Sequence, residues 1–172
     1  MKALRRLGFW LLLLAMIALA VRLERGSFVG EDIRAANGES VRVIDGDSLR
    51  IGDREIRIAG IDAPEYRQTC SDAAGRAWPC GKEARSALEA LTGEAALSCT
   101  KQAEDRYGRA LAQCQTARGD VATRMARLGW ALDARDERFK APQAAIAEAK
   151  AAKRGIWRGG HQHPAEWRKA NR

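Results

Sequence analysis

Residues 40–62 constrain the fold more than any other part of the chain, because apolar residues recur there at the spacing of short strands. Four of them alternate with polar residues on either side of the sequence "IDGDS": Val41, Val43, Leu49 and Ile51. Gly52 and Asp53 then have the composition of a hairpin turn, and the alternation resumes from Glu55 to Ile61. This pattern predicts three consecutive antiparallel strands.

The later segments combine helix and strand patterns. Apolar residues at helical spacing predict helices over 81–91, 120–128 and 143–154. Segments 95–101 and 109–115 are strand-like and flank the turn "QAEDRYG", so we expect them to pair as a hairpin. The order of these elements predicts an α+β fold, an OB-type five-stranded barrel with three helices.

The first 21 residues have the pattern of an export segment. Lys2, Arg5 and Arg6 precede an apolar run that ends near the small-residue sequence Ala18-Leu19-Ala20. This pattern predicts a signal peptide. An N-terminal membrane anchor is the alternative, although the run is short for the roughly 20 residues that span a bilayer. Both readings place the domain outside the cytoplasm, either periplasmic or secreted, or anchored to the inner membrane.

The four cysteines agree with an exported protein. Cys70, Cys80, Cys99 and Cys114 form an even set, which is typical of disulfide-bonded domains in oxidising compartments. Three pairings are possible. We favour Cys70–Cys80, which would close a predicted loop at 66–80, and Cys99–Cys114, which flank the predicted hairpin turn at comparable distances. Zinc is not favoured, because the chain has no C-x-x-C motif and both of its histidines lie near the C-terminus.

The charge of the chain favours polyanionic partners only weakly. The formal net charge is +8, but residues 1–30 contain five basic residues and one acid, so half of that charge lies in the predicted export segment and linker. The remaining domain is moderately basic. A nucleic-acid site therefore depends on where individual charges are placed rather than on their number.

Two motifs place acids at the ends of predicted strands. "IDGDS" contributes Asp45 and Asp47, and "RIAGIDAPE" contributes Asp62 and Glu65. If the strands pair, Asp47 and Asp62 converge at one end of the sheet. Carboxylates without histidine or cysteine suit a hard cation such as Ca²⁺ or Mg²⁺. The alternative is structural, since D-G-D is a common turn and the other two acids could cap a loop.

Two arginines accompany these acids. Arg57 precedes Asp62 on the same predicted strand, and Arg109 begins another strand after "DRYG". A guanidinium group binds phosphate oxygens through a fork of donors and stays charged. Two such groups beside a cation would stabilise phosphoryl transfer. Two solvated surface arginines are the alternative reading.

Five motifs in this order resemble the staphylococcal nuclease (thermonuclease) family in its periplasmic or secreted bacterial type: "IDGDS", "RIAGIDAPE", "DRYGRALA", "LGWA" and "GIW". The resemblance extends from about residue 40 to residue 158. It implies an OB-type barrel and calcium-dependent hydrolysis of phosphodiester bonds in DNA and also RNA, leaving 3′-phosphate ends. It also implies a monomer.

The resemblance implies catalytic and substrate-binding roles for particular residues. Arg57 and Arg109 would hold the scissile phosphate, and Glu65 would act as the general base. Tyr107 and Arg106 would contact the substrate. The predicted core contains no histidine, so a carboxylate has to accept the proton of the attacking water.

The resemblance likewise implies a calcium site. Asp47 and Asp62, together with the backbone carbonyl of Ala63, would be ligands of Ca²⁺, and Asp45 would lie behind them. Ser48 and Ala63 stand where the family's best-known member has threonines, so we expect altered rather than abolished metal binding.

A second departure concerns substrate binding. The best-known member has tyrosines that pack on a nucleotide base after the motif containing Trp130, whereas this chain has Ala134 and Arg135 there, and Phe139 is the nearby aromatic residue. Stacking on an aromatic side chain contributes about 1–3 kcal/mol per base. The sequence therefore predicts weaker or differently placed substrate binding.

The predicted organisation has four parts: a signal peptide or anchor at 1–21, a linker at 22–39, a nuclease-like domain at 40–158 and a basic tail at 159–172. The tail is predicted to be irregular and disordered, although its Pro164, Trp167 and Arg168 match the ends of periplasmic relatives. Its His161 and His163 could bind a metal loosely.

Two other functions stay open. One is a non-catalytic OB-fold module of the cell envelope that binds nucleic acid, and the other is a membrane-anchored assembly protein that uses the barrel as a scaffold. The nuclease is favoured because a binding module does not need the complete set of Asp47, Arg57, Asp62, Glu65 and Arg109.

Overall fold

The computed structural model describes residues 30–35, 40–93 and 96–171, together with Trp10, Leu12, Leu13 and Met16. The chain divides into two compact units, residues 1–30 and 31–172. In the first unit those four residues have helical backbone and exposed side chains. The rest of the predicted export segment and residues 22–29 of the predicted linker lie outside the described residues. No helix in the described ranges is long and apolar enough to cross a membrane.

The second unit consists of short strands and four α-helices in its described part. The strands are β1 Asp32–Arg34, β2 Val41–Val43, β3 Ser48–Ile51, β4 Arg54–Ile58, β5 Ile61–Asp62, β6 Cys70–Ser71, β7 Ala77–Trp78, β8 Ser98–Glu104, β9 Ala110–Thr116, β10 Gly119–Asp120 and β11 Leu132–Asp133. The helices are α1 Cys80–Gly93, α2 Val121–Leu128, α3 Gln143–Ala151 and α4 Pro164–Ala170, with a 3₁₀ helix at Gly155–Arg158.

One curled sheet dominates this unit. Its strands follow the order β1-β8-β9-β4-β3-β2, and β10 pairs with β9. Every pair in it is antiparallel except β4 and β9, which run parallel with Arg57 opposite Leu111. Strand β5 pairs separately with β11, and β6 with β7. The parallel pair matters for function, because it places the strand that carries Arg57 beside the strand that follows Arg109.

The predicted fold class is confirmed, but the number of elements is not. Three strands of residues 40–62 and the later hairpin form as predicted, but the third predicted strand is interrupted at Gly60. Arg57 therefore lies on β4 and Asp62 on the separate strand β5, not on one strand as predicted. The described sheet follows an open path from β1 to β2, so it is a half-open barrel with more than five strands. Strand β1 lies inside the predicted linker, where it pairs with β8 and buries Ile33. Strand β1 has three residues, of which one is buried, and this is too short to show an alternating pattern in the sequence.

The core lies between the sheet and the helices. Leu49 of β3 and Ile56 and Ile58 of β4 are fully buried, because alternate residues of a strand face the same side. They pack in one cluster with Leu88 of α1 and Met125 of α2. These contacts fix the strands whose ends carry the predicted site residues.

Both predicted disulfide bonds are present. Cys99 and Cys114 lie directly opposite each other on β8 and β9, and Cys70 on β6 is bonded to Cys80, the first residue of α1. The prediction that residues 66–80 form only a loop is wrong, because they contain the β6–β7 ribbon. That ribbon is too short to produce a strand pattern, and the disulfide bond holds it against the helix.

Replacing Cys99 and Cys114 together by alanine is expected to lower the free energy of unfolding by about 2–4 kcal/mol, because the bond restricts the unfolded chain. Both residues are fully buried, so the substitution adds no exposed surface. Urea unfolding of the oxidised protein and of the double variant measures the difference. Coincident unfolding curves would contradict the prediction.

A second stability prediction concerns Gly129, which ends α2 in the left-handed region with φ 85°. A Cβ atom there would lie 2.3 Å from the carbonyl oxygen of Arg154, a backbone atom that cannot rotate away. Gly129→Ala is therefore expected to cost about 3 kcal/mol or more, the backbone strain adding to the steric clash. Thermal and urea unfolding measure the loss.

Gly75 provides the matched control. Its φ is 77°, but a Cβ atom there would meet nothing within 4 Å. Gly75→Ala should therefore cost only the backbone strain, about 1–2 kcal/mol. Equal losses in the two variants would show that the contact with Arg154 does not matter.

The prediction of a disordered tail is wrong. The amide of Ser71 donates a hydrogen bond to the carbonyl oxygen of Gly160 at 2.8 Å, and the Gln68 side chain donates one to the carbonyl of Gln162 at 2.8 Å. Helix α4 then begins at Pro164, which is buried and whose fixed φ suits a first helical turn. Helix α4 is short, and its order depends on contacts with distant residues, which no local pattern reveals.

Candidate active site

A cleft of about 1170 Å³ opens beside the ends of β4 and β5. It gathers most of the predicted site residues: Asp45, Arg57, Asp62, Glu65, Arg106, Tyr107 and Arg109. Asp47 lies just behind its wall, in contact with Arg57. The predicted residues, which come from distant parts of the chain, therefore lie at one place.

Asp47 is buried and fully bonded. Its Oδ2 atom accepts a hydrogen bond from the amide of Ala63 at 2.9 Å and lies 3.0 Å from Nη2 of Arg57. Its Oδ1 atom accepts from the hydroxyl of Ser48 at 2.9 Å. Asp47 thus ties the turn before β3 to the corner after β5, and its charge is balanced by Arg57.

Asp62 faces the same guanidinium group. Gly60 has φ 82°, a conformation that glycine adopts without strain, and it turns the chain from β4 into β5. As a result Oδ1 of Asp62 lies 2.6 Å from Nη2 of Arg57. The charge of Asp47, more than that of Asp62, raises the pKa of Arg57 despite its burial. Arg57 therefore stays protonated while it bridges two buried carboxylates.

Asp45 adds a third carboxyl group beside Asp47 and Asp62, and its Oδ1 atom accepts a hydrogen bond from the amide of Asp47 at 3.1 Å. Burial, together with the charge of Asp47, raises the pKa of Asp45 to about 8. Such a carboxyl group gains stability when a cation lies beside it. The oxygen-only donors of Asp45, Asp47 and Asp62 and the nearby carbonyl of Ala63 are those that a hard cation prefers. The chemistry of this set therefore fits Ca²⁺.

The side chains are not arranged around a cation, however. Within the part of the chain that the structure describes, no three His, Cys, Asp or Glu residues form a group that could hold a metal ion. Both oxygens of Asp62 and one oxygen of Asp47 face guanidinium groups instead, and the other oxygen of Asp47 accepts from Ser48. A cation would therefore have to displace some of these contacts.

The backbone of Glu65 is fixed by hydrogen bonds to Gln68. Its amide donates a hydrogen bond to the side chain of Gln68 at 3.2 Å, and its carbonyl accepts one from the amide of Gln68 at 2.7 Å. Helix α1 packs so closely that a Cβ atom on Gly81 would lie 1.7 Å from the carbonyl oxygen of Glu65. The backbone position of Glu65 is thus set by the start of α1.

Arg109 reaches the cleft from the turn between β8 and β9. Its Nε atom lies 2.7 Å from Oδ2 of Asp105, and its Nη1 atom lies 3.8 Å from Glu55 on β4. Tyr107 is exposed, and the guanidinium groups of Arg106 and Arg109 lie 4.8 Å and 5.6 Å from its ring centre. This turn presents two cations and one aromatic face to the cleft.

The largest addition to the predicted site is Arg168 of α4. Its Nη1 atom lies 2.9 Å from Oδ1 of Asp62 and 2.5 Å from Oε1 of Glu65, and its Nη2 atom lies 3.2 Å from Oδ2 of Asp62. Burial alone would lower the pKa of Arg168. The hydrogen bonds to Asp62 and Glu65 more than offset this effect, so the pKa of Arg168 is raised. The sequence contained the residue but no signal that it would meet acids about a hundred positions away.

The segment after Trp130 also borders the cleft. Ala134, Arg135 and Phe139 line it, and the Arg138 guanidinium lies 5.4 Å from the Phe139 ring centre. The segment that lacks tyrosines therefore lines the same cleft as the predicted site residues. Weaker or differently placed binding stays a prediction.

Comparison with known proteins agrees with this geometry. The profile of the family described as staphylococcal nuclease homologue matches residues 55–159. The chain is 38% identical over 115 residues to succinoglycan biosynthesis protein ExoI of Rhizobium meliloti (strain 1021), covering 65% of this chain and 59% of that protein.

Two rice proteins are also similar to this chain in sequence. Over 122 residues, or 68% of this chain, it is 34% identical to probable staphylococcal-like nuclease CAN1 and 32% identical to probable staphylococcal-like nuclease CAN2 of Oryza sativa subsp. japonica. The match covers 33% of the first and 30% of the second, so the chain spans well under two thirds of the length of these curated relatives.

Proposed function

The chain belongs to the family of staphylococcal nuclease homologues, and from this membership and the geometry of the cleft we propose that it is a calcium-dependent nuclease that hydrolyses DNA and RNA. One observation carries the proposal. Arg57 lies on β4 and Arg109 directly precedes β9, the strand that pairs with β4, and both arginines line one cleft with Asp62 and Glu65. A phosphodiester bound there would meet two forked cations and two carboxylates.

The arginines would bind the substrate phosphate. Each guanidinium group donates paired hydrogen bonds to non-bridging oxygens, which reduces the repulsion between the anion and an attacking nucleophile. These donors are held in place before the substrate arrives, Arg109 by Asp105 and Arg57 by Asp47. They would therefore stabilise the charge that grows in the transition state without reorganising.

Asp47, Asp62 and the backbone carbonyl of Ala63 would hold Ca²⁺, and Asp45, which lines the cleft, would support Asp47 by accepting a hydrogen bond from its amide. When bound, the ion would supply positive charge to the phosphoryl oxygens and lower the pKa of water. The fit rests on the oxygen-only donors of this set. Ser48, which donates to Asp47, would keep that carboxylate oriented.

Glu65 would accept the proton of the attacking water. The water oxygen forms a bond to phosphorus while the bond from phosphorus to the 5′ oxygen breaks, and that oxygen takes a proton from solvent. The products are a 3′-phosphate and a 5′-hydroxyl group. Gln68 and Gly81 would support the reaction by fixing the backbone of Glu65.

The same proposal covers location and partners. The two disulfide bonds support a protein that works in an oxidising compartment, either the periplasm or the exterior, with attachment to the inner membrane as the alternative. Its partner would be nucleic acid, bound by a monomer. Fractionation of cells that express the full chain tests its location, and size-exclusion chromatography of the purified protein tests whether it is a monomer.

One observation favours a second candidate function. Arg168 binds Asp62 and Glu65, the two cleft carboxylates on which hydrolysis would depend. A domain in which that contact is permanent would bind nucleic acid through Arg57, Arg109 and Tyr107 without cutting it.

A cleavage assay separates the two candidates. The full chain is produced by export and incubated with labelled single-stranded DNA or RNA, with Ca²⁺ or a chelator. The nuclease proposal expects cutting that requires Ca²⁺, with 3′-phosphate ends identified by mass spectrometry. Binding without cutting in any divalent metal would establish the second candidate instead.

A further inference from the structure

The guanidinium group of Arg168 occupies the space between the carboxylates of Asp62 and Glu65. Together with Arg57 it covers both oxygens of Asp62 and one oxygen of Glu65. We infer that Arg168 acts as an internal cation that competes with Ca²⁺ for Asp62 and Glu65, and that it thereby lowers the calcium affinity of the protein. This inference rests on the proposed function.

The contact is built into the fold. The Nδ1 atom of His163 accepts a hydrogen bond from the amide of Ala165 at 3.3 Å and so caps α4, and its Nε2 atom lies 3.3 Å from the carbonyl oxygen of Asp133 on β11. Strand β11, which contacts His163 at the start of α4, pairs with β5, the strand that supplies Asp62. These contacts fix the position of α4 relative to β5, and so they place the Arg168 guanidinium group beside Asp62.

Competition follows from the geometry. A carboxylate oxygen has more than one lone pair, so Asp62 could face a guanidinium donor and Ca²⁺ together, but the two cations would then lie within about 5 Å of each other. Like charges at that distance repel in a partly buried site. Ca²⁺ bound through Asp62 therefore competes with Arg168, and the repulsion, or the loss of the Arg168 hydrogen bonds, weakens the apparent affinity for calcium.

The coupling works in both directions. If Arg168 lowers the affinity for Ca²⁺, then Ca²⁺ must weaken the attachment of Arg168 by the same factor. The side chain of Arg168 is about a third exposed and lines the cleft, so it has a path to solvent or to a bound phosphate. Release of Arg168 would loosen α4, whose other contacts involve few buried side chains.

The test measures calcium binding directly. Isothermal titration of the chelator-treated full chain compares the native protein with Arg168→Gln, which removes the charge, and Arg168→Lys, which keeps the charge but loses the fork. Lys169→Gln is the matched control, since Lys169 is exposed, lies on the same helix and carries the same charge. We expect Arg168→Gln to bind Ca²⁺ about tenfold more tightly, Arg168→Lys to fall between, and Lys169→Gln to stay within twofold.

Hydrogen exchange supplies the second readout. Adding Ca²⁺ to the native protein should speed amide exchange in peptides covering 164–170, and Arg168→Gln should show the same fast exchange without calcium. If Arg168→Gln binds Ca²⁺ no more tightly than the native protein, or less tightly, the inference is overturned. If Arg168→Gln does not fold, the affinity of Arg168→Lys decides.

The result also separates this inference from the proposed function. Calcium-dependent cutting by the native protein together with unchanged calcium affinity in Arg168→Gln would overturn only the role of Arg168. Failure of every variant to bind Ca²⁺, together with no cutting, would overturn both.

Discussion

Arg109→Ala is expected to lower the turnover number for DNA cleavage by about 10³-fold, because arginines that meet transition-state charge in phosphoryl transfer contribute 10³–10⁵ in rate. The fold should survive, since Arg109 lies at a turn and its partner Asp105 keeps its hydrogen bonds to backbone amides. Single-turnover cleavage of a labelled oligonucleotide at saturating Ca²⁺ measures the rate, and thermal unfolding confirms the fold.

Arg50→Ala is the matched control for this variant. Arg50 pairs with one oxygen of Glu55 at 3.1 Å, while Arg109 faces the other at 3.8 Å. Each substitution removes one positively charged partner of Glu55. Arg50, however, lies on β3 and has no proposed contact with substrate. Its turnover should stay within about threefold of the native value. Similar losses in both variants would point to a general charge effect rather than to phosphate binding.

Arg57 is a poorer choice for the same test. It bridges two buried carboxylates, and removal of one partner from a buried ion pair typically costs about 3–5 kcal/mol. Arg57→Ala would therefore mix loss of folding with loss of catalysis. Arg57→Lys keeps the charge and should retain the fold while losing the paired donors.

Glu65→Gln is expected to lower turnover by about 10²–10⁴-fold, the usual contribution of a positioned general base. The amide has the same shape and can still accept from Arg168, so the Michaelis constant should change little. Steady-state kinetics on a single-stranded substrate separate the two constants. Glu83→Gln, on the outer part of α1 where Glu83 pairs with Arg158, is the control and should leave both unchanged.

The outcome for Glu65 distinguishes two roles. A fall in turnover alone supports proton transfer. A parallel rise in the Michaelis constant would assign Glu65 to binding or to the local structure. A change in calcium affinity without a change in turnover would place Glu65 among the cation ligands.

The strand alternation in residues 40–62 predicted the sheet correctly, because each run is long enough to bury one face and each turn has its own composition. The motifs containing Asp62 and Arg109 supplied residues that line one cleft, since strand ends bring such residues together. Strands β6, β7, β10 and β11 were not predicted because two residues cannot show a period, and for the same reason β5 was not separated from β4.

The contact of Arg168 with the cleft carboxylates was not predicted for a different reason. Its role depends on α4 packing beside Asp133 and Gln162 meeting Gln68, contacts between segments that are far apart in the chain. A basic residue in a polar tail resembles a solvated charge until the tertiary structure is known. The sequence predicted the carboxylates of the cleft but not the guanidinium group that contacts two of them.

The parallel pairing of β4 with β9 has a consequence for how the protein folds. Arg57 and Leu111 are opposite in register although about fifty residues separate them, so this pair closes a long loop. The β3–β4 and β8–β9 hairpins close shorter loops and should form earlier. The two arginines would then come together late on the folding pathway. Partly folded chains would hold formed hairpins but no competent phosphate site, so recovery of cleavage during refolding should lag behind recovery of the circular dichroism signal.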